Sequence, residues 1–190
     1  MRTALLTAVV AVVALVFADV AFAHAVVSPP VAKAKTLQLY TLSVPTEEEN
    51  ATTTEIELTV PNGFSIDSFA PSPGWKREVQ STGSGEEAVV QKVTWTGGNV
   101  PTEEDSVFQF NADATSDKTY TFKVLQTYSN GKVVDWSGPE SSDTPAPTVK
   151  AVSSIGGSST STLTIVALVL GAAGVVLGII ALVTRGRELG

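Results

Sequence analysis

The stretch "YTFKVLQTYSNGKVVDW", Tyr120–Trp136, decides the fold class. Two runs rich in Val, Thr, Tyr and Phe flank Asn130-Gly131, and Asn-Gly between such runs predicts a β-hairpin closed by a type I′ turn. Upstream, "TEIELTV" at Thr54–Val60 puts Ile56, Leu58 and Val60 on one face and Glu55, Glu57 and Thr59 on the other. Side chains alternate across a strand, so this one has a single buried face.

Working outward, the same reading predicts strands over residues 25–30, 37–44, 54–60, 76–80, 88–95, 107–111, 119–128 and 132–136. Turn residues separate them: "PNG" at Pro61–Gly63, "PSPG" at Pro71–Gly74, "TGSG" at Thr82–Gly85 and "GGN" at Gly97–Asn99. Short strands at regular spacing, with no helical period and no internal repeat, predict an all-β sandwich of immunoglobulin/fibronectin-III-like type.

The two ends are different in kind. Arg2, the apolar run Ala4–Phe17 and Ala21-Phe22-Ala23 have the pattern of a secretory signal peptide cut after Ala23, which makes His24 the first residue of the mature chain. At the other end Leu163–Val183 carries no charge and is long enough to span ~30 Å of hydrocarbon as one helix. Arg185 and Arg187 follow it, and the positive-inside rule keeps such a tail cytoplasmic. The expected organisation is a signal peptide at 1–23, a β-sandwich at 24–139, a flexible Ser/Pro/Thr/Gly-rich tether at 140–161, a transmembrane helix at 162–184 and a tail at 185–190. The protein is thus expected in the cell membrane as a single-pass chain with its N-terminal domain outside. Gly174 and Gly178 have the GxxxG spacing that can pair two such helices.

Between His24 and Ser161 there are 17 acidic and 9 basic residues. A domain this acidic does not suit nucleic acid or an anionic membrane surface as partner. With no cysteine in the chain, disulfides, thiolate metal sites and thiol nucleophiles are all excluded. The domain must rest on its hydrophobic core alone. "NAT" at Asn50–Thr52 fits the glycosylation acceptor pattern, a short one that recurs by chance.

"HAVVSP" at the mature N-terminus, "YTLSVPTE" at Tyr40–Glu47, "TTTEIELTVPNG", "PSPGW" ending at Trp75, "VTWTGG" and "LQTYSNGKVVDWSGP" together resemble, in that order, the secreted YcnI-like copper-binding domain. The resemblance covers His24 to about Pro139, and a tether followed by one transmembrane helix is similar to the Gram-positive and actinobacterial members. It implies a β-sandwich that binds one Cu(II) through the mature N-terminal histidine, a carboxylate and a tryptophan. It also implies copper-importing or copper-carrying membrane proteins as partners.

A processed N-terminal histidine offers its α-amine and its ring Nδ1, two nitrogens that close a chelate ring, and an ordinary α-amine pKa of ~7.7–8.0 makes proton loss inexpensive near neutrality. Two cis nitrogens completed by oxygen suit Cu(II), which also heads the divalent affinity order. His24 is the only histidine in the chain. On the resemblance the tryptophan is Trp136, as a shield or outer contact, since an indole N–H only donates. Trp75 and Trp95 match structural positions. The carboxylate falls to Glu47, in the "VPxE" position, with Glu55 as the alternative and Glu48 and Glu49 as bystanders.

Catalysis is not expected. A Ser-His-Asp site needs a histidine fixed within a framework, and the acidic pairs Glu86-Glu87 and Glu103-Glu104 sit in turn-rich stretches. There is no nucleotide-binding fingerprint. A histidine-brace copper oxygenase needs a second histidine. Two readings remain: an extracellular Cu(II) metallochaperone, store or sensor, and an immunoglobulin-like surface interaction domain that binds no metal.

Overall fold

Ile56 and Leu58 are fully buried while Glu55 and Glu57 are only partly covered, so the alternation of the "TEIELTV" strand is realised in three dimensions. The computed structural model describes residues 24–85, 88–155, 164–172 and 174–175. The chain divides into two units, residues 1–153 and 154–190.

The described part of the first unit forms twelve strands: β1 (Val26–Ser28), β2 (Val31–Lys33), β3 (Gln38–Pro45), β4 (Thr53–Thr59), β5 (Phe64–Phe69), β6 (Lys76–Thr82), β7 (Val89–Val100), β8 (Asp105–Ala114), β9 (Thr119–Thr121), β10 (Lys123–Tyr128), β11 (Val133–Trp136) and β12 (Thr148–Val152). A four-stranded sheet in the order β1-β3-β8-β5 faces a five-stranded sheet in the order β11-β10-β4-β7-β6, and β2-β12-β9 make a small third sheet. Inward residues of the two main sheets, among them Tyr40, Leu42, Val44, Ile56, Leu58, Phe108, Phe110 and Val124, form one core. Aromatic rings carry much of it. Trp95 stacks on Phe108 at 4.2 Å, and Phe64 meets Tyr40 edge-on at 5.0 Å. The all-β, immunoglobulin-like expectation holds.

Several element boundaries differ. The expected strand over 25–30 ends at Ser28 as β1, because Pro29 and Pro30 cannot donate to a ladder, and the chain resumes beyond it as β2 in a different sheet. The run 119–128 is likewise β9 and β10, parted at Phe122, whose N–H donates to the Pro147 carbonyl at 2.9 Å. β5, "FSIDSF", was not among the expected strands; it pairs with β8 through a shift in register between Ile66 and Ser68 that interrupts its alternation. The hairpin at Asn130-Gly131 forms, but not through a type I′ turn. Gly131 has φ 85° while Asn130 stays at negative φ, and Tyr128 and Lys132 close a three-residue loop. A type I turn followed by a left-handed glycine has this form.

The expected tether is corrected at its beginning. Within residues 140–161, Thr148–Val152 is strand β12, running parallel to β2 and antiparallel to β9, with Val149 and Ala151 buried. A "TVKAV" pentapeptide has two inward side chains to bury, and β2 and β9 supply the ladder that its Pro- and Ser-rich flanks do not advertise.

In the second unit residues 164–172 and 174–175 are helical. Among the described residues no helix is long and apolar enough to cross a membrane. The expected signal peptide, tail, Gly178 and most of the expected span lie outside the described residues.

Candidate metal centre

β1 is the edge strand of the four-stranded sheet, paired antiparallel with β3 so that Val26 stands opposite Ser43 and Val27 opposite Leu42. Continuing that register brings His24 level with Pro45, where β3 ends. Ala25 and Val27 point into the core, so His24, two residues from Val26 on the same face, points out of it. It is half-buried. His24 lines a groove of about 730 Å³ that runs along β1, walled on the other side by Gly138–Glu140 and Pro145–Thr148.

Glu47 lies two residues beyond Pro45, exposed to solvent. Its backbone N–H donates to the Tyr128 hydroxyl at 3.4 Å, which ties this turn to β10. Burial raises the Tyr128 hydroxyl above its ordinary pKa, with the Glu47 and Glu48 charges adding to the effect. Glu48 is engaged elsewhere: it accepts from Lys132 Nζ and from Asn130 Nδ2. The Lys132 contact holds the Glu48 carboxyl below its usual range and raises the Lys132 ammonium. Glu55 sits opposite Thr127 and Thr96 on the face of β4 that Ile56 and Leu58 do not share, the outer face of the five-stranded sheet. The structure therefore brings Glu47 to the His24 end of the sandwich and sets Glu55 on the outside of the other sheet.

Trp136 is fully buried, and its indole N–H donates to Gln126 Oε1 at 3.0 Å. Gln126 in turn donates from Nε2 to the Pro45 carbonyl and to Thr53 Oγ1, each at 2.8 Å. Thr53 Oγ1 also meets Thr46 Oγ1 at 2.7 Å. Among the described residues the buried polar side chains are Thr46, Thr53, Ser106 and Gln126, and Ser106 stands opposite Val44 on β8. All four thus gather at the end where His24 meets β3. Buried polar groups are the informative exceptions in a core.

Sequence reading missed two features. Glu140 shares the groove with His24, four residues after Trp136 in "WSGPE"; placing the tether at residue 140 hid it. Gln126 was invisible because a lone glutamine in "KVLQTY" has no pattern of its own.

Among the described residues no three His, Cys, Asp or Glu side chains gather closely enough to hold a metal ion. One imidazole with a carboxylate is a poor Cu(II) site by itself. Were the chain cut before His24, as the sequence predicts, the freed α-amine would add a second nitrogen, and the donor set would then fit.

The family model described as "Domain of unknown function (DUF1775)" matches residues 24–151, through β12. The chain is 32% identical to the copper-binding protein CutI of Bacillus subtilis (strain 168), over 91% of each chain. An uncharacterised Nocardia farcinica protein of immunoglobulin-like fold superposes with a TM-score of 0.58 at 30% identity, covering 68% of this chain and 98% of that one. This chain belongs to the DUF1775 family, the YcnI-like family whose motifs it carries.

Proposed function

We propose that this protein binds Cu(II) outside the cell, anchored by its C-terminal apolar segment, and serves copper homeostasis by carrying, storing or sensing the ion. The α-amine and ring nitrogen of His24 supply two donors, a carboxylate from Glu47 or Glu140 supplies an oxygen, and the Trp136 ring closes the core behind them. It works as a binding protein and not a catalyst, since a brace oxygenase would need a second imidazole. Copper-importing or copper-carrying membrane proteins are the partners that suit this role. The observation carrying the reading is that the chain's only histidine, directly behind a signal-peptidase pattern, lines an open groove at the polar end of the sandwich. The copper-binding relative is consistent with it.

The test compares two chains, one beginning at His24 and one retaining Ala23 before it. The first should bind one Cu(II) with a nitrogen-rich EPR signal. The second, with its amine locked in a peptide bond, should lose most of that affinity. Equal binding by the two would remove the amine from the site, and no binding by either would leave an immunoglobulin-like surface domain without metal.

A further inference from the structure

The two fully buried tryptophans differ in one respect. Trp95 Nε1 has no hydrogen-bond partner among the described residues, whereas Trp136 Nε1 is paired with Gln126 Oε1 at 3.0 Å. That same Gln126 amide reaches across the core to the Pro45 carbonyl at 2.8 Å. Trp136 and Gln126 belong to the five-stranded sheet and Pro45 to the four-stranded one, so a single side chain joins the two sheets at the His24 end. Thr53, bonded to both Gln126 and Thr46, braces the same point.

We propose that Gln126 is the positioning residue of the copper site, fixing the Trp136 ring and the end of β3, and through β3 the strand that carries His24, in one relation. This rests on the copper reading above. The chemistry leaves little slack. The amide has one acceptor oxygen and two N–H donors, and here the oxygen and both donors are used. An apolar residue of similar length would remove the partner of the Trp136 N–H and the side-chain donor to the Pro45 carbonyl together, and leave Thr53 bonded to Thr46 alone. Trp136 would be free to shift, and the β3 end with its paired His24 strand would no longer be registered against the opposite sheet.

The experiment uses the chain from His24 through Gly190 in detergent, with Cu(II) as the probe. Gln126→Met is compared with the parent and with Phe64→Leu, a core change beside Ala114 at the other end of the sandwich. Three quantities are read: Cu(II) affinity, the Cu(II) EPR spectrum, and the indole N–H resonance of Trp136 without metal. Gln126→Met should lose about tenfold in affinity, broaden the copper spectrum and shift the Trp136 resonance. Phe64→Leu should lower the melting temperature and leave all three readings in place. If Gln126→Met does not fold, Thr53→Val removes one hydroxyl of the same network at similar volume, and about a threefold loss with the same spectral trend is expected. A parent that binds copper while the network variant keeps its affinity and spectrum overturns the positioning role alone. So does an equal loss in Phe64→Leu, which would make the effect one of stability. A parent that binds no copper overturns the copper reading, and this role with it.

Discussion

The indole N–H of Trp136 donates to Gln126 Oε1 at 3.0 Å in a space that neither residue shares with solvent. Trp136→Phe keeps a ring but removes the donor and leaves that oxygen unpaired. Together with the smaller ring, this should cost about 2–4 kcal/mol of unfolding free energy. Urea denaturation measures it, and a loss below about 0.5 kcal/mol would mean that the bond contributes nothing in solution.

Copper held by an amine and an imidazole must displace two protons in acid solution. Where both nitrogens carry protons, apparent affinity should therefore fall close to two powers of ten per pH unit. An imidazole alone would give one. A competition titration between pH 5 and 6.5, in a buffer that does not bind copper, reads the slope.

The carboxylates separate by place. Glu47→Gln and Glu140→Gln change groups at the His24 end and in its groove, and whichever one reaches the ion should weaken Cu(II) binding by roughly tenfold, the scale of one charged partner. Glu55→Gln, on the outer face of the other sheet, should leave binding unchanged. Isothermal titration on the three variants decides it, and a loss confined to Glu55→Gln would require a different site.

Trp75 lies flat against Gly98, and a Cβ built on that glycine would fall within the indole ring. The same ring meets Phe108 edge-on at 5.0 Å, so it cannot withdraw without giving up a core contact. Gly98→Ala should therefore destabilise by about 1–3 kcal/mol and red-shift tryptophan emission as Trp75 moves toward water. An unchanged melting temperature would contradict this packing.

Tyr40 is wholly buried, its hydroxyl without a partner among the described residues, and burial raises its pKa. Burial raises Tyr128 as well. A raised folded pKa means that the unfolded chain ionises first, so the associated stability is intact below about pH 10 and is lost as pH climbs above it. Tyr40→Phe discards the orphaned hydroxyl. It should stabilise by up to about 1–2 kcal/mol at neutral pH and flatten the alkaline loss, as followed by circular dichroism from pH 8 to 12.

Alternation in "TEIELTV", the Asn-Gly hairpin and the spaced turn residues were enough to read an all-β sandwich, because a strand's period of two reports directly which face is buried. The small-x-small pattern "AFA" before the lone histidine is likewise read from adjacent residues, and the cut it predicts belongs to the proposal. What the tertiary structure decided was everything that depends on two distant segments meeting. "TVKAV" among prolines becomes β12 only because β2 and β9 stand ready on either side of it. Glu47 and Glu55, eight positions apart in sequence, part company because β3 and β4 enter opposite sheets. Gln126 acquires its place only where the carbonyl of Pro45, 81 residues away, comes within 2.8 Å of its amide. A hydrogen bond across a core has no periodicity and leaves no signature along the chain. It exists only where packing has already brought donor and acceptor together and removed the water that would otherwise serve both.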